Sequence, residues 1–137
     1  MDGMIFSDRA AEAVGPYPHA RRVGNLLFVS GLGPRRRGSK DIPGTTLDAS
    51  GRVIAHDIVA QCHSVFENVR LILEDAGFSL EDVVDVPTFL TDMKGDFATY
   101  NRVYAEYFPT TRPARTTVEV TALPTPIAIE MKVIAAK

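Results

Sequence analysis

The apolar positions of this chain recur with two periods, and the switches between them delimit its elements. Within 57–76, Ile58, Val59, Cys62, Val65, Phe66, Val69, Ile72, Leu73 and Ala76 return at steps of three or four, which puts them on one helical stripe. Gln61, Glu67, Arg70 and Glu74 fall on the opposite face, predicting that this side meets solvent. Gly77 stands where a left-handed cap residue ends a helix. Ser79, Leu80, Glu81 and Asp82 have the spacing of a short capped turn. A second stripe of Phe97, Tyr100, Tyr104, Tyr107 and Phe108 predicts a helix capped by Asp96, with Pro109 stopping it.

Elsewhere the pattern is extended. Residues 22–30 read as a hairpin, since Gly24 and Asn25 tolerate the positive φ of a tight turn. Segment 34–51 holds three Gly and two Pro and reads as a loop, with a short strand near 45–47. A strand over 83–91 contains Pro87, which removes a ladder donor and points to an edge or a bulge. Strands 115–120 and 127–135 follow, joined by the turn Leu123-Pro124-Thr125-Pro126. The order predicts an α/β (α+β) fold, a mixed sheet with both helices on one face. In the last strand Ile127, Ile129, Met131, Val133 and Ala135 share a side. The other side mixes Ala128, Glu130, Lys132, Ile134 and Ala136, and no further element remains to cover it. Oligomerisation through that open face is the expectation.

Composition narrows the function classes. The 137 residues fit one domain over 1–137. Fifteen basic against seventeen acidic residues give a net charge of −2, which supplies no general positive field for nucleic acid or an anionic membrane. One cysteine, Cys62, forms no internal disulfide. The apolar runs are too short to span a bilayer, and the first eight residues lack the basic flank and apolar core of a signal peptide. A soluble cytoplasmic protein is expected. His19, His56 and His63 lack metal-ligand spacing, so no metal is expected.

Four segments carry chemistry: Gly15-Pro16-Tyr17, Phe28-Val29-Ser30-Gly31, Pro113-Ala114-Arg115-Thr116-Thr117-Val118 and Ile129-Glu130-Met131. Together with the element order, and with Asp82-Val83-Val84 and Asp96-Phe97-Ala98-Thr99-Tyr100-Asn101, they resemble the YjgF/RidA family of enamine and imine deaminases. The resemblance covers nearly the whole chain. It implies a chorismate-mutase-like fold assembled as a trimeric barrel, a homotrimer with sites in the clefts between subunits. It also implies hydrolysis of a carboxylate-bearing enamine or imine to a carbonyl and ammonia, with no metal or organic cofactor.

The resemblance places the family's substrate-gripping arginine at Arg115, whose planar fork binds a carboxylate in two places. The plainer reading of Arg115 is a surface ion pair at a strand start. Glu130 falls where the family holds or activates the attacking water; alternation alone also allows a solvent-facing glutamate. Thr117 departs from the cysteine that many members carry, which excludes thiol chemistry there but leaves a hydroxyl to orient water or substrate. Ser30 and Gly31 close a strand where an N–H and a hydroxyl can meet the departing amine or the carboxylate, or else form an ordinary strand-end turn. Tyr17 matches a lid-side tyrosine. His19 is either a proton carrier or an exposed loop histidine, and His56 and His63 read as structural. The segment Asp92-Met93-Lys94-Gly95-Asp96 is one residue longer than the common family turn and lacks an asparagine often found there. The run Arg35, Arg36, Arg37 is a solvated charge run or a contact for a second carboxylate. Here, and at Arg21-Arg22, Phe28-Val29-Ser30-Gly31, Glu67-Asn68-Val69-Arg70 and Glu130-Met131-Lys132, the chain is similar to the 2-aminomuconate deaminase branch. A generalist deaminase and a non-catalytic acid-binding or chaperone-like module are the alternatives.

Overall fold

The computed structural model describes residues 3–137. In chain order the elements are β1 (Met4–Ile5), β2 (Ala20–Val23), β3 (Leu26–Leu32), β4 (Thr45–Leu47), β5 (Val53–His56), α1 (Ile58–Asp75), β6 (Val83–Leu90), α2 (Met93–Tyr107), β7 (Ala114–Glu119) and β8 (Ile129–Ala136). Six strands form one sheet in the order β1-β2-β3-β8-β6-β7, and β4 pairs with β5 separately. Among the described residues only β6 and β7 run parallel, and α2 is the crossover between them.

Local chemistry sets the helix ends. The Asp57 carboxylate accepts from the N–H groups of Val59 and Ala60, two donors that no helical carbonyl reaches. Gly77 follows the end of α1 with φ +81°, as a left-handed cap requires. α2 starts earlier than the sequence suggests. Its cap is Asp92, which accepts from the Gly95 N–H, while Asp96 lies inside the first turn, buried and paired with His56 at 2.7 Å. The β2–β3 hairpin turns at Gly24 as expected, with φ +61°.

The helices cover the sheet face carrying Leu27, Val29, Val86, Leu90, Ile129, Met131, Val133 and Ala135, all buried. Phe66 stacks on Tyr107 at 4.0 Å between ring centroids and joins the two helices. Cys62 is buried in this layer, and burial pushes its thiol up to about 12. Gln61 does not meet solvent as the stripe implied. It is fully buried, donating to Thr45 Oγ1 and accepting from the Ala128 N–H, each at 2.8 Å, so that it ties β4 and the start of β8 to α1. β6 is no edge strand either. It pairs with β8 on one side and β7 on the other, and its register shift lies between Val83 and Asp85, ahead of Pro87. The turn after β7 therefore carries the chain across β6 to β8. On the uncovered face Phe28, Phe89, Glu130, Lys132 and Ile134 are half-buried and Val118 is exposed.

Candidate active site

β7 presents two of the predicted residues to α2. Arg115 is in register with buried Val86, and Thr117 with buried Thr88, so both point to the helix side. There Phe97, Tyr100, Asn101 and Tyr104 sit at helical spacing on one face of α2. The Arg115 Nη2 donates to Asn101 Oδ1 at 2.7 Å. Its Cζ stands 4.8 Å from the Tyr104 ring centroid, 4.9 Å from Tyr100 and 5.7 Å from Phe97, distances at which a ring face attracts a cation. Among the described residues no carboxylate forms an ion pair with Arg115. It is a half-buried cation with an aromatic surround and no counter-ion.

Glu130 lies on the other side of the sheet. Its register partner is Phe89, one residue out of phase with Thr88, so it faces away from Arg115. Half burial raises its pKa above the ordinary carboxylate value. Its carboxyl rests against Gly31, where an added Cβ would come within 2.8 Å of Glu130 Oε2. Only glycine leaves that space open. Gly31 and Ser30 do not close β3; they lie inside it, where the register against β8 shifts between Val29 and Leu32. Such a bulge re-aims side chains beside a site. Both donors of Ser30 are taken: its N–H donates to His19 O at 2.9 Å and its hydroxyl to Pro18 O at 2.7 Å. The hydroxyl oxygen keeps its acceptor lone pairs.

Tyr17, His19, Ser30, Gly31 and Arg35 all line one small cavity of about 20 Å³. That is room for about one water, far below the roughly 300 Å³ of a small-molecule pocket. One chain thus carries two separated groups: Arg115 and Thr117 on the helix side, and Glu130, Gly31 and the cavity elsewhere.

Known proteins can be set beside this geometry. The sequence profile of the Endoribonuclease L-PSP family matches residues 7–137. The chain belongs to this family, the YjgF/RidA proteins. It is 42% identical to a RutC family protein of Pyrococcus horikoshii, covering 100% of this chain and 99% of that one. The YjgF gene product of E. coli superposes with a TM-score of 0.83 at 32% identity, covering 98% of each chain. E. coli TdcF, solved with bound serine, gives the same TM-score, identity and coverage.

Other predicted positions in this YjgF/RidA chain have structural work. His19 is buried, not an exposed loop residue. Its Nδ1 accepts from the Ser7 N–H at 3.0 Å and its Nε2 meets Ala11 O at 2.8 Å, so both ring nitrogens hold the N-terminal segment. The arginine run splits three ways. Arg35 donates to Glu12 O beside the small cavity. Arg36 lines a groove of about 750 Å³ along α1 with His63, Glu67 and Tyr107. Arg37 donates to Ala10 O and Ser7 O at 2.8 Å each, between that groove and a second of about 440 Å³ that Tyr17 also lines. His56 is not isolated as its sequence context implied. Its ring nitrogen and carboxylate oxygens of Asp92 and Asp96 all lie within 4.8 Å of one another. The two carboxylates are already engaged, by the Gly95 N–H and by His56, and the positive end of α2 opposes a cation there. Asn101, Phe97, Tyr100 and Tyr104 were not assigned roles from sequence. Their stripe is indistinguishable from a core stripe until β7 is placed against it. No helix among the described residues is long and apolar enough to cross a membrane.

Proposed function

We propose that the protein is a hydrolytic deaminase of 2-imino and 2-enamino acids, and that 2-aminomuconate is its substrate. One observation carries this reading: Arg115 is a half-buried guanidinium with no carboxylate partner among the described residues. A desolvated cation of that kind favours an incoming anion. Serine bound to E. coli TdcF, a relative of the same fold, is an acid of the expected size. The net charge of −2 favours a small acid over a nucleic acid as substrate.

The chemistry needs only proton transfers. Protonation of the enamine at carbon gives an iminium, with the substrate carboxylate held by Arg115. Water adds to the iminium carbon while Glu130 takes its proton. Glu130 then returns that proton to the carbinolamine nitrogen; ammonia leaves as the hydroxyl gives up its proton, replacing the one taken up from solvent at carbon, and the 2-oxo acid remains, which for 2-aminomuconate is 4-oxalocrotonate. A carboxylate of raised pKa suits such a shuttle. Arg115 and Glu130 face opposite sides of one sheet, so a substrate that meets both lies between copies of the chain. We place the site in the clefts of a homotrimer. The small size of the cavity beside Gly31 and the half-buried apolar residues on the uncovered face support that placement.

A continuous spectrophotometric assay on 2-aminomuconate, run beside 2-imino acids generated in situ, tests the reading. Arg115→Ala is expected to lose most turnover, about 2–5 kcal/mol of transition-state stabilisation. Of the arginine run only Arg35 lines the cavity with Gly31, so Arg35→Ala should impair 2-aminomuconate selectively while Arg36→Ala is silent. Equal loss on all substrates, or none, favours the generalist over the 2-aminomuconate enzyme. Acid binding without any turnover supports a binding module.

A further inference from the structure

Two buried side-chain oxygens among the described residues have no hydrogen-bond partner, the Tyr104 hydroxyl and Thr117 Oγ1. Both belong to residues beside Arg115. Thr117 follows it by two positions on the same face of β7, and the Tyr104 ring lies under its guanidinium at 4.8 Å. Thr88 and Tyr100, at the neighbouring positions, satisfy each other at 2.6 Å, so the layer does accommodate paired hydroxyls. Orphaned polar atoms are uncommon and costly in protein interiors. Phenylalanine and valine would fill the same volumes without them.

We propose that the Tyr104 and Thr117 hydroxyls are substrate-binding groups that complete the hydrogen-bond shell of the carboxylate on Arg115. The proposal rests on the reading of Arg115 as the carboxylate site. A carboxylate offers about four acceptor positions, and a guanidinium fork takes two of them. Asn101 fixes one Nη2 donor and with it the plane of the fork. Two acceptor positions of the anion remain, and two unused hydroxyls belong to the residue stacked under the guanidinium and to the next residue on the same face of β7. Burial raises the pKa of the Tyr104 phenol, which keeps it a donor. The consequence is selectivity for a free acid over its amide, since an amide has one uncharged acceptor oxygen where the carboxylate has two charged ones, too few for the fork and both hydroxyl donors.

Calorimetric titration with pyruvate, the 2-oxo acid product of the simplest such imine, and with pyruvamide tests this. Wild-type protein is expected to bind pyruvate more tightly. Tyr104→Phe and Thr117→Val should each weaken pyruvate roughly tenfold, leave pyruvamide near wild type, and raise or hold the melting midpoint of the free protein. KM for a 2-imino acid should rise in step, with kcat nearly unchanged. Wild-type affinity for pyruvate in both variants overturns the proposal, and so does an equal loss of pyruvate and pyruvamide, the mark of a packing defect. Arg115→Ala separates the two levels. If it abolishes pyruvate binding while the hydroxyl variants do not change it, the carboxylate site stands and this inference falls. If Arg115→Ala binds pyruvate normally, or the wild type binds neither ligand, the underlying reading falls and takes this one with it.

Discussion

In the proposed mechanism Glu130 joins function and stability in one side chain. Burial holds its pKa above the ordinary 4.5, so between those values the folded chain binds more proton than the unfolded one. The stability it contributes is therefore full below 4.5 and is lost as pH rises through the raised value. Glu130→Gln should abolish deamination and raise the melting midpoint at pH 7 more than at pH 4; an equal change at both pH values would contradict the sign. Turnover by the wild type should likewise rise with pH through a value above that of an ordinary glutamate. The two roles pull in opposite directions, as expected of a charge kept for chemistry.

At the scale of elements, the two helix caps differ in how openly the sequence shows them. Asp57 directly precedes a clean apolar stripe. Asp92 and Asp96 compete four residues apart, and Gly95 between them weakens the helical signal. The choice is settled by His56, forty positions away, which claims Asp96. Asp92→Ala should cost about 1 kcal/mol in denaturant unfolding, and by fraying the first turn of α2 should raise KM through Phe97 and Asn101. Periodicity reveals long elements that bury one face, which is why α1, α2, β3, β6 and β8 were legible. β1 and β5 were not, being two and four residues long with little buried surface. The same limit hid the burial of Gln61, whose partners lie on β4 and just ahead of β8. Of the candidate site, Arg115, Glu130 and Gly31 were named from the ordered motifs. The aromatic surround was not, because only the register of β7 against β6 turns those side chains toward Arg115.

For the whole molecule, the separation of Arg115 from Glu130 makes a prediction that one chain cannot meet alone. Inactive Arg115→Ala and Glu130→Gln proteins, unfolded together and refolded as a mixture, should regain activity approaching one quarter of wild type, since about one intersubunit site in four then receives both native halves. No recovery, with mixed oligomers verified by mass spectrometry, would place both residues in a site within one chain. The register shift in β3 bears on how this chain can vary in length. Before it, odd-numbered residues point inward, as Leu27 and Val29 do; after it, the even-numbered Leu32 does. The strand changes phase at Ser30 and Gly31. Removing Gly31 would restore an unbroken ladder and keep Leu32 inward, yet leave Ser30 as the residue facing Glu130, where an added Cβ has no room. A deletion that a surface loop absorbs freely is thus barred at Gly31, and which residue the strand can lose at this step is set by the carboxyl group it must admit.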